Sequence, residues 1–114
     1  MTGLELCIDA RAAHGLNSLA TCSAFMDQVV QVAGMTELER FQIELPNEMQ
    51  AGPGVSITCV IIESHIALHT WPERNALMFN LVSCKPFNTR PIMGLLVDTF
   101  RATLVTHHEI ERTI

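Results

Sequence analysis

With 114 residues, the chain is long enough for one domain (1–114) with a single modest core and too short for two. Hydrophobic residues make up 48% of it, and 12 acids outweigh 7 bases to a formal charge of −5. That composition offers no basic stripe for a nucleic acid and no apolar run of membrane-spanning length.

The opening residues, MTGLELCIDARAAHG, lack the basic start and apolar block of a signal peptide, so the expected location is the cytoplasm. LELCID (4–9) alternates apolar and polar positions and reads as a strand with one buried face. Residues 18–34 read as the first helix, with Ser23 as N-cap candidate and Phe25, Met26, Val29, Val30 and Ala33 at helical spacing. RFQIEL (40–45) alternates again and stops at Pro46, giving a second strand.

AGPGV (51–55) is turn chemistry, VSITCVII (55–62) is a β-branched third strand, and HIALHTW (65–71) is a fourth. The Glu63-Ser64 junction falls at the bend between those two strands. ALMFNLVSC (76–84) is a fifth. A second helix is expected to start at Asn88 or Thr89, with Pro91 in its first turn and Ile92, Leu95, Leu96, Thr99 and Phe100 on its apolar face. TLVTHHEIERTI closes the chain as a last strand. The order β-α-β-β-β-β-α-β implies an α+β two-layer sandwich: a largely antiparallel sheet with two helices on one face. Its other face needs cover, and a homodimer would provide it.

The segment IIESHIALHTWPE (61–73) carries more chemistry than a core strand needs. Residues four apart in a strand share a face, so His65 and His69 point the same way. Three readings arise from the residues alone. The two histidines and Cys84 could bind a metal, although no zinc-like spacing supports it. Ser64 with a histidine could form a hydrolase pair, but Ser64 lacks the flanking glycines of a nucleophile elbow. The histidines could also be satisfied structural residues. Cys7, Cys22, Cys59 and Cys84 contain no CxxC pair, so four free thiols are expected.

ESHIALHTWPE resembles the processing segment of the bacterial and archaeal form of S-adenosylmethionine decarboxylase, a self-cleaving pyruvoyl enzyme of polyamine synthesis. Ser56 stands eight residues before Ser64 within GVS, and Cys84 stands eleven after Glu73, both as in that family. More loosely, the resemblance runs through ERT near the end.

It implies that Ser64 attacks the carbonyl of Glu63, yielding chains 1–63 and 64–114, the second capped by a pyruvoyl group derived from Ser64. Ser56 would donate to the processing intermediate and His69 would be the base. The substrate amine would form a Schiff base with the pyruvoyl group, and Cys84 would be the proton donor. Glu73 would hold a substrate cation. His65, Cys7, Cys22 and Cys59 would be structural, and His107 and His108 exposed.

The implied function is decarboxylation of S-adenosylmethionine, a small-molecule amino-acid substrate, with no metal. Ornithine, arginine or lysine are the alternative substrates, and a non-catalytic binding homologue is the alternative of another class. The substrate alternative arises because Gln50 stands where many relatives carry an adenine-stacking aromatic, and Asn80 where relatives tend to have an aspartate. RNALM also replaces a tyrosine-bearing segment, and the chain has no tyrosine.

Overall fold

A computed structural model describes residues 2–46 and 52–113. Its elements run β1 (Thr2–Ala12), α1 (Leu19–Val32), β2 (Thr36–Leu45), β3 (Gly54–Ile62), β4 (Ser64–Trp71), β5 (Ala76–Ser83), α2 (Thr89–Phe100) and β6 (Ala102–Thr113), with a short 3-10 turn at Pro72–Arg74. The expected order therefore holds. The strands form one sheet, β2-β3-β4-β5-β1-β6, and every neighbouring pair is antiparallel.

One face of the sheet is the core. Leu6 and Ile8 of β1, Ile57 and Ile61 of β3, Ile66 and Leu68 of β4, and Phe79 and Leu81 of β5 are all buried there. Cys22, Phe25, Met26 and Val29 of α1 meet them, as do Ile92, Leu96 and Phe100 of α2. Phe25 joins the layers, packing edge-on against Phe79 and Phe100 at ring-centroid distances of 5.8 and 5.1 Å. Burying each large side chain of this kind contributes about 1.5–3 kcal/mol.

The helix caps differ from the sequence reading at one place. Ser18, not Ser23, caps α1: it is extended (φ −112°, ψ 106°) and its Oγ accepts from the Thr21 N–H at 3.1 Å. Ser23 lies one turn inside the helix. Gly34 ends the turn after α1 at φ +67°, where a Cβ would be strained, and the Met35 N–H returns to the Val30 carbonyl at 3.0 Å. Asn88 caps α2 through the Arg90 N–H at 3.2 Å. β2 begins four residues earlier than its alternation suggested, because a register shift between Glu37 and Glu39 breaks the period there.

Arg40 pins α1 to β2. Its guanidinium donates to both oxygens of Glu37 at 2.7 and 2.8 Å, and to the Ser23 carbonyl and hydroxyl at 3.0 and 2.9 Å. It also pairs with Asp27 at 2.7 Å, an acid too exposed for that contact to count for much. These hydrogen bonds hold the Glu37 carboxyl below its ordinary value of 4.5.

The opposite sheet face is open. Phe41 and Ile43 of β2 are 62% and 58% exposed, and Val60, Ile62, Met78 and Ile110 continue the apolar surface across the sheet. So many large apolar side chains exposed on one face are characteristic of an interaction site. No helix among the described residues is long and apolar enough to cross a membrane.

Arg40→Met should lower stability by about 2 kcal/mol at neutral pH, because Glu37 then keeps a partly buried charge without its donors. Since the folded Glu37 value lies below 4.5, this contribution is complete above the unfolded value and is lost as pH falls through the folded one. Urea midpoints of the two proteins should therefore converge on going from neutral pH to about pH 3. A gap unchanged at low pH would move the stabilisation from Glu37 to Ser23.

Candidate active site

β3 and β4 form a hairpin of the tightest kind: Ile61 pairs with Ser64, and the exposed Glu63 lies at the turn. Ser64 has φ +155°, a positive value that residues with a Cβ rarely take. The Glu63–Ser64 peptide bond thus sits at an accessible tip with unusual backbone geometry. On its other side Ser64 pairs with Ser83, which ends β5, so Cys84 follows immediately beside it.

The buried Ser83 hydroxyl contacts the Met35 sulfur at 3.8 Å and accepts from the Lys85 N–H at 3.2 Å. That fixes the chain leaving β5 and holds Cys84 half-buried. Here a cavity of about 420 Å³ opens, lined by Thr36, Ile62, Glu63, Cys84 and Lys85.

Ser56 and His69 form a second group. They are directly opposite in the β3–β4 register, and His69 Nδ1 lies 3.0 Å from Ser56 Oγ on the open face. The backbone beneath them is clamped by Thr70, which is buried on the core side. Its hydroxyl donates to the Leu16 carbonyl at 2.7 Å and accepts from the Val55 N–H at 2.8 Å. Gly54, which opens the GVS turn, lies so close to this strand that a Cβ would meet the Thr70 carbonyl oxygen at 2.4 Å.

The two groups are separate within one chain. Along β4, His69 is five residue steps from Ser64, roughly 17 Å at strand rise. A base must come within hydrogen-bond reach of its proton, roughly 3 Å. The structure thus brings Glu63, Ser64 and Cys84 together, and Ser56 with His69, but not the first set with the second. Glu73 is exposed in the turn after Trp71, at the far end of β4 from Ser64. Gln50 lies outside the described residues.

Sequence reading missed a polar network on the open face. His65 Nε2 donates to Asn80 Oδ1 at 2.9 Å, and Asn80 Nδ2 donates to Glu5 Oε2 at 2.9 Å and approaches Cys7 Sγ at 3.4 Å. Arg112 pairs with the other Glu5 oxygen. The Asn80 amide, aided by Arg112, holds the Glu5 carboxyl below the usual range, while burial and the Glu5 carboxylate raise the Cys7 thiol. An aspartate at position 80 could not donate to Glu5, so Asn80 and Glu5 form a matched pair. Strand alternation places these residues on one face, but only the β5–β1 pairing makes them neighbours.

His65 and His69 do share a face, yet each engages a different partner, Asn80 and Ser56. Cys22 and Cys59 are buried free thiols, both pushed up to about 11 by burial, which suits a packing role. His107 and His108 are exposed on β6.

Comparison with known proteins bears on the family and the fold. The family model for S-adenosylmethionine decarboxylase matches residues 5–113. A Saccharolobus islandicus protein named S-adenosylmethionine decarboxylase proenzyme is 38% identical over 64 residues, covering 54% of this chain and 52% of that one. An Aeropyrum pernix protein named arginine decarboxylase proenzyme is 36% identical over 62 residues, covering 53% and 46%. The chain thus spans about half the length of these relatives in the match. The crystal structure of the adenosylmethionine decarboxylase from Aquifex aeolicus superposes with a TM-score of 0.76 over 96% of this chain and 88% of that one, at 16% identity, which speaks to the fold alone. With a family match running from the first strand to the last, the chain belongs to the S-adenosylmethionine decarboxylase family.

Proposed function

We propose that this protein is a self-processing, pyruvoyl-dependent decarboxylase acting on S-adenosylmethionine. The observation that carries the reading is the Glu63–Ser64 bond, held at the tip of the tight β3–β4 hairpin with Cys84 across a cavity of about 420 Å³. A cavity of that size is within the range that encloses a small metabolite.

Processing needs a serine hydroxyl beside its own preceding carbonyl, and the hairpin exposes both. Ser64 Oγ adds to the Glu63 carbonyl carbon, the peptide nitrogen departs from that carbon, and an ester joins the two segments. Loss of the Ser64 α-proton expels the ester oxygen together with Glu63, which keeps it as a carboxylate. One water then enters at the α-carbon and the nitrogen leaves as ammonia. The addition needs a donor toward the carbonyl oxygen and the elimination needs a base, roles suited to the Ser56 hydroxyl and the His69 imidazole.

The pyruvoyl group so formed would supply a ketone that takes up the electrons released with carbon dioxide. Cys84, which lines the cavity, stands beside position 64 to return a proton to the substrate α-carbon; Glu73, at the far end of β4, could hold a substrate cation there only from a second copy.

The separation of roughly 17 Å along β4 sets a further requirement. Ser56 and His69 reach a scissile bond only if they belong to a second copy. The uncovered apolar face on which they stand supports a homodimer stacked through that face. A second substrate reading, a basic amino acid, is favoured by the arginine decarboxylase proenzyme among the relatives and by Asn80. Release of carbon dioxide from S-adenosylmethionine, ornithine, arginine and lysine separates the two readings.

Intact mass under denaturing conditions should show chains 1–63 and 64–114, the second with a pyruvoyl cap, whereas Ser64→Ala should remain one folded chain without activity. A single uncut wild-type chain after long incubation would leave a non-catalytic binding protein as the better reading.

The dimer makes a sharper prediction. His69→Ala expressed alone should stay uncut, but co-expression with Ser64→Ala should restore cleavage of the His69→Ala chain, whose intact Ser64 then meets an intact His69. Cleavage of His69→Ala on its own, or none in the mixture, would refute the composite site.

A further inference from the structure

Self-cleavage of the proposed kind changes charge asymmetrically. Ordinary hydrolysis of a peptide bond yields a carboxylate and an ammonium together. Here the Ser64 nitrogen leaves as ammonia, so Glu63 gains an α-carboxylate with no new cation on the protein. The anion forms on a residue that already carries a γ-carboxylate, and among the described residues Glu63 has no ion-pair partner before cleavage.

One cation lines the same cavity. Lys85 follows Cys84 directly and is the only lysine in the sequence. Its Nζ donates to the Gly34 carbonyl at 3.2 Å, an exposed contact at the turn that ends α1. A lysine ammonium has three donors on a flexible stem, so it can keep that contact and still receive an anion. Nothing in the uncut chain requires a positive charge here, since Gly34 would accept from water equally well.

We infer that Lys85 is the positioning residue that captures the Glu63 α-carboxylate created by cleavage, an assignment that rests on the self-processing reading. The ion pair draws the severed end of β3 toward the α1 side of the cavity. It thereby keeps a mobile anion away from position 64 and leaves the space over Cys84 to the substrate. Lys85 contributes little to the uncut chain and acquires its role only when the bond is broken.

The test is a melting comparison in two backgrounds, the cleaved wild type and the uncut Ser64→Ala chain, with cleavage first verified by intact mass. Lys85→Met should lower the Tm of the cleaved protein by about 2–4 °C, the size of one partly exposed ion pair, and leave the Ser64→Ala background unchanged. Lys85→Arg should restore the cleaved protein, and the difference should vanish in about 1 M sodium chloride, where exposed pairs are screened.

Equal loss in both backgrounds would overturn the assignment and make Lys85 a plain tether for Gly34. No loss in the cleaved protein would also overturn it. Both results leave self-processing intact, whereas failure of the wild type to cleave removes both readings at the first step.

Discussion

Everything placed at the candidate site depends on the register of the β3–β4 hairpin. With only Ile62 and Glu63 between the paired Ile61 and Ser64, the pairing has no slack, and the same ladder sets Ser56 opposite His69. Side chains alternate faces, so a slip of one residue would send His69 into the core and turn Ile66 and Leu68 to the open side. Burial of those two residues therefore fixes the geometry of the candidate site as firmly as any polar contact does. Thr70 reinforces it from beneath, since its hydroxyl satisfies the Val55 N–H and ties β4 to the chain before α1. A hydrophobic requirement on one face is thus converted into a polar alignment on the other.

The open face shows the same economy. The core side is closed by two helices, anchored through Phe25 and Arg40, and is complete within one chain. The other side combines exposed Phe41, Ile43, Met78 and Ile110 with a satisfied polar network around Asn80. Apolar surface alone would favour indiscriminate association, while buried polar groups penalise any partner that leaves them unmatched. The His65–Asn80–Glu5–Arg112 chain is already internally bonded, so covering it does not strand a donor or acceptor. That property lets the face be covered without an unpaired polar group at Asn80.

Much of the fold was legible because its signals are local. Alternation in 4–9, 55–62 and 65–71, the proline after β2, and Asn88 before α2 each specify their elements without reference to distant parts. The α1 cap was misplaced at Ser23 because Ser18 and Ser23 are both capping residues by type, and only backbone dihedrals distinguish them. Ser23 instead serves Arg40 across seventeen residues, a partnership no local pattern announces. The Asn80–Glu5 bond was hidden for a similar reason: β5 and β1 are neighbours only after the chain has crossed the sheet. The candidate site residues were named through the family resemblance, not from the residues alone, and only the β3–β4 register shows that His69 faces Ser56 while Ser64 stands apart at the hairpin tip.

The strand order also explains how such a chain could lose its central peptide bond and remain one molecule. A cut after Glu63 assigns β1, β2 and β3 to one segment and β4, β5 and β6 to the other. In the sheet these segments interleave, because β1 lies between β5 and β6, and β3 lies against β4. The β3–β4, β5–β1 and β1–β6 ladders therefore all cross between segments, with β1 bonded along both edges. The helices cross as well, since Phe25 of the first segment packs between Phe79 and Phe100 of the second. Breaking one bond at a hairpin tip removes a covalent link but none of this burial, and a hairpin turn contributes little once its strands are held elsewhere. A scissile bond placed in a crossover connection would lack that protection; at the tip of β3–β4, the sheet itself is the link.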